Sequence, residues 1–231
     1  MTRERLLELL ADLILQVERS HPLRVAIDGI DAAGKTSLAD ELTPLIEAHG
    51  RPVLRASIDG FHLPRAVRYR QGVDSPGGYY FDSFNYDTLI DVLLLPLGPG
   101  GDRRCRLKSF DFRTDTPLDE PHQHASIGSV LLLDGVFLLR PALNPYWDYR
   151  IFVQVDFHVA LYRAIRRDQG LFGSRQAVVE RYQRRYFPAQ RRYLQTVQPH
   201  ELADVIIENN DPPNPQIINN WKHGSPFESQ N

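Results

Sequence analysis

The spacing of apolar positions changes period several times along the 231-residue chain. Over residues 3–19, Leu6, Leu7, Leu10, Leu13, Ile14 and Val17 recur at helical spacing, with Glu4, Glu8, Asp12 and Glu18 between them. This predicts an amphipathic leading helix within 1–20. After His21-Pro22 the run Leu23-Arg24-Val25-Ala26-Ile27 predicts a strand, broken at Asp28-Gly29 by a loop of small residues. A helical pattern follows from Lys35 to Ala48 and stops at Gly50-Arg51-Pro52. Val53-Leu54-Arg55-Ala56-Ser57-Ile58 predicts a second strand and Val130-Leu131-Leu132-Leu133 a third. All three strands end in Asp-Gly, at 28–29, 59–60 and 134–135.

Two more β-branched runs, Arg150-Ile151-Phe152-Val153-Gln154-Val155 and Ala203-Asp204-Val205-Ile206-Ile207, flank helical, Arg-rich sequence. Helices between most strands imply a parallel sheet covered on both faces, so the expected class is α/β with a doubly wound parallel sheet. Between the second and third strands lies an excursion, 60–129, carrying the Gly/Pro-rich segments Ser75-Pro76-Gly77-Gly78 and Pro96-Leu97-Gly98-Pro99-Gly100-Gly101. A hairpin is expected at 104–112 and a helix near 86–95. An insertion of this length in a compact α/β domain usually builds a site. From Asn209 onward Pro212, Pro213 and Pro215 lie among many Asn, so 209–231 is read as an irregular tail. Residues 1–231 are read as one domain, because a prior of about 150 residues per domain allows between one and two.

The loop after the first strand carries the strongest chemical signal. Gly29-Ile30-Asp31-Ala32-Ala33-Gly34-Lys35-Thr36 matches G-x-x-x-x-G-K-[ST] between a strand and a helix, the context that a phosphate-binding loop requires. Gly29 and Gly34 permit the backbone geometry that turns successive N–H groups of the loop, Asp31, Ala32 and Ala33 included, toward phosphate oxygens. The positive end of the following helix adds to the attraction. Lys35, expected to be partly exposed, would reach the β- and γ-phosphates. The Thr36 hydroxyl is the expected magnesium ligand, and Ser37 completes the nucleotide-binding set.

Composition narrows the partners. Lys plus Arg total 27 against 29 for Asp plus Glu, and a net charge of −2 gives no global reason to expect a nucleic acid or an anionic membrane. Cys105 is the only cysteine, which excludes an internal disulfide and a Cys-rich zinc site and fits a reducing, cytoplasmic setting. No apolar run approaches the roughly 18 residues of a membrane-spanning helix, and charges of both signs precede the first apolar stretch, unlike a secretory signal. The expected partner is a small molecule. A homo-oligomer is left open.

Further motifs follow the phosphate loop in order: Asp59-Gly60-Phe61-His62, Phe84-Asn85-Tyr86-Asp87, Phe110-Asp111-Phe112, Leu133-Asp134-Gly135-Val136, and the stretches 163–175 and 203–207. Over about residues 23–208 these segments resemble the uridine kinase and phosphoribulokinase group of P-loop kinases. The resemblance implies transfer of the γ-phosphoryl group of ATP, with Mg²⁺, to a hydroxyl of a small molecule, most simply a uridine- or cytidine-type nucleoside. It implies Asp59 beside the attacking hydroxyl and the metal, and Asp134 in the magnesium shell, where many uridine kinases have Glu. It also implies His62, Asp87 and Phe110 at the acceptor. Where uridine kinases have a Tyr-Asp-Phe-x-x-His segment, this chain reads Phe110-Asp111-Phe112-Arg113-Thr114-Asp115, an acid in place of the base-reading His. Other hydroxylated metabolites, a sugar or a pantothenate-like compound, are therefore alternative acceptors.

The residues speak to these roles on their own terms as well. A carboxylate at a strand end can orient a hydroxyl and take its proton, which is what phosphoryl transfer asks of Asp59. A turn or capping role is the alternative for Asp59 and Asp134, and Asp87 could equally cap the helix that follows it. Nine arginines lie between 163 and 192. Arg163, Arg167 and Arg175 flank Gly170-Leu171-Phe172-Gly173, whose glycines suit a lid at 163–176. Arg167 is the candidate to steady the transferring group, with Arg163 and Arg175 on the nucleotide. Beyond Arg175 the arginines are read as a solvated helix face. A nucleotide-dependent regulatory module without catalysis is the reading from a different class. A pure sensor has no need of an acceptor base such as Asp59.

Overall fold

In the computed structural model, which describes residues 1–218, the main sheet contains β1 (Leu23–Gly29), β2 (Val53–Ser57), β3 (Val130–Gly135), β4 (Tyr149–Gln154), β5 (Val205–Glu208) and β6 (Gln216–Ile218). Their spatial order is β6-β5-β4-β1-β3-β2, parallel throughout except for the antiparallel β6. From β1 the chain passes to the edge strand β2, returns to β3 between them, and then builds outward on the other side of β1 through β4, β5 and β6, so the carboxyl ends of β1, β3 and β2 lie side by side. A ligand site is expected at such a reversal of strand order.

Strand residues alternate between two cores. Val25, Ile27 and Leu132 face α1 (Arg3–Leu15) and α2 (Lys35–Ala48), packing on Leu6, Leu10, Ile14, Leu38, Leu42 and Ile46. Ala26, Leu131 and Leu133 face the other way, onto Phe61, Tyr79, Phe84, Leu93 and Tyr193. Both faces are covered, so the strands read as continuous apolar runs. Four further helices bear on the site: α3 (Pro76–Asp82) in the excursion, α4 (Phe157–Phe172), α5 (Arg175–Arg181) and α6 (Phe187–Val197). At the start of β1, Arg24 is buried and gives three hydrogen bonds to the Asp148 carboxylate, from its backbone N–H (2.9 Å), Nε (2.9 Å) and Nη2 (3.2 Å). This pins β1 to the chain entering β4.

Three expectations need correction. The hairpin at 104–112 does not form: Arg104–Cys105 pairs with Gln123–His124, and Phe110–Asp111 with Thr116–Pro117. The residues between bond outward instead, Arg106 N–H to the Val92 carbonyl and Ser109 N–H to the Gly60 carbonyl. Within the tail read as irregular, Gln216–Ile218 is a strand, because the edge of β5 offers its backbone groups and Ile217 packs on the core. Residues 219–231 lie outside the described residues. The helix near 86–95 is present, but its α-helical turn Tyr86–Leu89 passes into a π-wound turn, Ile90–Leu94.

Candidate active site

The phosphate loop joins β1 to α2. Gly29 has φ +153°, and a Cβ there would collide with the Val153 carbonyl of β4; Gly34 has φ +95° and heads α2 with no side-chain cap. Both positions require glycine, and the first-turn N–H groups of α2 stay available to an anion. Lys35 is buried rather than partly exposed, its ammonium folded under the loop onto the Ile30 carbonyl at 2.7 Å. Burial lowers its pKa, against the pull of Asp31, Asp134 and Asp28. The Thr36 hydroxyl donates to Asp134 Oδ2 at 2.7 Å, while Arg55 Nη2 donates to Asp134 Oδ1 at 3.0 Å. Both carboxylate oxygens of Asp134 are thereby held beside the head of α2.

Just past β2, Asp59 lies in the turn Ile58–Phe61. Its own surface is open to solvent, yet the protein around it weakens its solvation. Desolvation raises its pKa and the carboxylates of Asp31 and Asp134 add to the effect, while His62 and Lys35 oppose it. His62 Nδ1 lies 2.9 Å from the Asp59 carbonyl oxygen. Its ring packs between Phe84 (4.7 Å between centroids) and Phe112 (5.1 Å), and desolvation lowers its pKa. The aromatic contacts continue from Phe84 to Tyr79 and from Tyr79 to Tyr186. A series of ring contacts thus links His62, beside Asp59, to the phosphate loop, where Asp31 Oδ2 accepts from Tyr79 OH (2.8 Å) and Gln190 Nε2 (2.5 Å).

No family model matches the chain. It is 28% identical over 189 residues to uridine-cytidine kinase B of Dictyostelium discoideum, covering 81% of this chain and 74% of that protein. It is 25% identical to the uridine kinase of Ligilactobacillus salivarius, covering 80% of this chain and 84% of that one. Some relatives are longer, and the match spans only 39% of uridine kinase-like protein 5 of Arabidopsis thaliana. Among solved structures, a Bacillus stearothermophilus protein described as a possible uridine kinase superposes with a TM-score of 0.69 at 25% identity, over 88% of this chain and 97% of that one. The chain shares the fold of this possible uridine kinase over most of its length. In that fold the cavity behind the phosphate loop takes on meaning. It measures about 460 Å³ and is lined by Arg3, Gly34, Ser37, Arg163, Asn209 and Pro213, among others.

Arg163, Arg167 and Arg175, the arginines expected in a lid, do not converge on one point. Arg163 spans the cavity wall, its Nη2 donating to the carbonyls of Asn209 (2.7 Å) and Asn210 (3.0 Å). Arg167 is half-exposed and binds Asp168 (2.7 Å) and Tyr182 OH (3.0 Å). Arg175 is exposed at the start of α5, beyond the break that Gly173 makes with φ +85°. Asp87 is exposed and does not cap its helix; Asn85 does, accepting from Thr88 N–H at 3.0 Å. Phe110 is buried, and Phe112 is the ring that meets His62. Asp115 accepts from Arg65 N–H (2.9 Å) and Arg68 Nη2 (2.8 Å), which fastens the segment where a base-reading His was looked for. Tyr79, Gln190 and Arg55 escaped the sequence reading. Tyr79 follows a Pro-Gly-Gly turn that predicts a bend and no chemistry, and Gln190 and Arg55 lie in ordinary helix and strand patterns.

Proposed function

We propose that the protein is an ATP- and Mg²⁺-dependent kinase that moves the γ-phosphoryl group to a hydroxyl of a small molecule, with a uridine- or cytidine-type nucleoside as the leading acceptor. The observation that carries this reading is that Asp59 and His62 are joined to the phosphate loop by one series of contacts, from His62 through Phe84 and Tyr79 to Asp31. The loop fits a nucleotide, since Gly29, Asp31, Ala32, Ala33 and Gly34 bring backbone close and Lys35, Thr36 and Ser37 follow at the positive end of α2. Thr36 and Asp134 offer the hard oxygen atoms that magnesium prefers. Among the described residues no cluster of three metal-binding side chains occurs, so phosphates and water would complete the shell. When bound, the ion neutralises charge that develops on the phosphates. Lys35 adds a positive charge there, and Arg163, Arg167 and Arg175 supply more from the lid.

Asp59 orients the acceptor hydroxyl and takes its proton as the oxygen attacks in line. His62 and Phe112 flank the acceptor, with Phe110 behind them and Asp87 at the outer end for sugar hydroxyls. A second reading, in which the acceptor is a sugar or another hydroxylated metabolite, draws support from Asp115: its carboxylate is already held by Arg65 and Arg68. Among the described residues no helix is long and apolar enough to cross a membrane.

The test is ATP consumption against a panel of nucleosides, free sugars and polyols. Uridine or cytidine should stimulate turnover, their 2′-deoxy analogues much less, and Lys35→Ala should abolish it while the variant stays folded. Turnover with a sugar alone selects the second reading. A folded protein that no hydroxyl compound stimulates would overturn the kinase assignment.

A further inference from the structure

Asp31 enters the sequence reading as a loop residue that serves the nucleotide through its backbone. Its side chain tells a different story. Both bonds it accepts, from Tyr79 OH and Gln190 Nε2, end on Oδ2, and among the described residues Oδ1 accepts none. Tyr79 belongs to α3 of the excursion and Gln190 to α6, so two elements outside the loop hold this carboxylate in one orientation. Gln190 is wholly buried, and its amide oxygen has no hydrogen-bond partner. A buried acceptor with no donor costs free energy unless something else repays it. Here the amide is turned so that its donor meets Asp31, and the orphaned oxygen is the consequence.

A fixed negative charge on a phosphate loop repels the triphosphate and gains nothing from it. It suits a ligand group that donates hydrogen bonds. Asp31 lies within electrostatic reach of Asp59 and His62, at the reacting end of the proposed acceptor site. Its ring partner Tyr79 packs on Phe84, and Phe84 packs on His62. Resting on the kinase reading above, we infer that Asp31 is an acceptor-binding residue, whose free Oδ1 takes a hydrogen bond from the acceptor hydroxyl nearest to the one that is phosphorylated. Tyr79 and Gln190 are its positioning residues. Because Asp31 sits on the loop itself, the acceptor groups within its reach are those next to the reacting oxygen. On a nucleoside phosphorylated at the 5′ position, that group is the 3′-hydroxyl.

The experiment compares wild type, Asp31→Asn and Tyr79→Phe with uridine and 3′-deoxyuridine as probes, measuring KM for acceptor and for ATP separately. Loss of a charge-assisted hydrogen bond should raise the uridine KM of Asp31→Asn by roughly 10- to 100-fold, while the ATP KM does not rise and falls to the extent that the lost charge repelled the triphosphate. With 3′-deoxyuridine the same substitution should change the acceptor KM by less than about threefold, since the bond is absent from both sides of the comparison. Tyr79→Phe should shift the uridine KM in the same direction by less, and it carries the comparison if Asp31→Asn does not fold. An unchanged uridine KM in both variants, or an ATP KM that rises in parallel, overturns the inference and returns Asp31 to the nucleotide. If wild type uses a polyol and not uridine, the same comparison with that polyol and its deoxy analogue decides it. A wild-type protein that phosphorylates nothing overturns the kinase reading itself, an outcome distinct from the other two.

Discussion

At the scale of single residues, three Asp-Gly strand ends that look alike in sequence take three different roles. Asp28 is fully buried, Asp134 is held by Thr36 and Arg55, and Asp59 is open to solvent. Only the last is free to meet an acceptor hydroxyl. Replacing Asp59 by Asn should lower kcat by about 10²–10⁴-fold with a much smaller change in acceptor KM, the signature of a lost general base. Its pKa is raised by desolvation and by neighbouring carboxylates, and the base must be ionised to act. Turnover should therefore fall on the acid side at a pH above the ordinary carboxylate value of about 4, and a pH profile of the Asn variant should lack that limb. A wild-type limb at ordinary carboxylate pH would assign the proton transfer to another group. The placement of Lys35 and Thr36 at the head of α2 and of Asp59 past the end of β2 was legible because local spacing specifies it. The fates of Asp28 and Asp31 were not, since each depends on partners from distant helices, Tyr193 and Gln190.

At the scale of elements, the order of strands and helices could be read from periodicity, but the phase of the last helices could not. Between α5 and α6 the chain makes a π-wound turn, Tyr182–Tyr186. The added residue per turn shifts every later side chain round the axis. Charge alone assigns all the arginines beyond 175 to a solvated face. Arg184, Arg191 and Arg192 do lie there, but Arg181 is partly covered and Arg185 is buried. The Arg185 guanidinium donates to the carbonyls of Val73 (3.1 Å), Ser75 (3.1 Å) and Arg68 (3.1 Å), and lies 4.8 Å from the Tyr69 ring. It ties the Gly/Pro-rich part of the excursion to the helices behind the lid. Arg185→Met keeps much of the volume and deletes those bonds, so denaturant unfolding should show a loss of roughly 2–4 kcal/mol. Proteolysis should then begin within residues 68–78. A stability change below about 0.5 kcal/mol would show that the excursion holds itself.

For the whole molecule, the buried junction at Asp28 makes stability depend on pH. Its carboxylate accepts from Tyr193 OH and from Leu138 N–H (3.3 Å), so it joins β1, α6 and the chain leaving β3. Desolvation raises its pKa from 3.8 to about 6, against the bond from Tyr193 and the charge of Lys35. The folded protein holds this proton more tightly than the unfolded chain does, so the contribution is complete below about pH 4 and disappears as pH rises through about 6. That span corresponds to roughly 3 kcal/mol. The Tm of wild type measured against Asp28→Asn should therefore fall between about pH 4 and pH 7 and level off above, whereas a constant difference would show an ordinary carboxyl. The outermost strands of the sheet have a consequence of their own. β2 has five residues and β6 three. Pro52 leads into β2, and at its centre Arg55 is drawn sideways onto Asp40 at 2.9 Å and Asp134. A short border with a proline and an anchored cation is a poor template for a second chain. The arginine that steadies Asp134 thus also discourages edge-to-edge aggregation, and a change to Val at that position, tempting for its β-propensity, would weaken both protections at once.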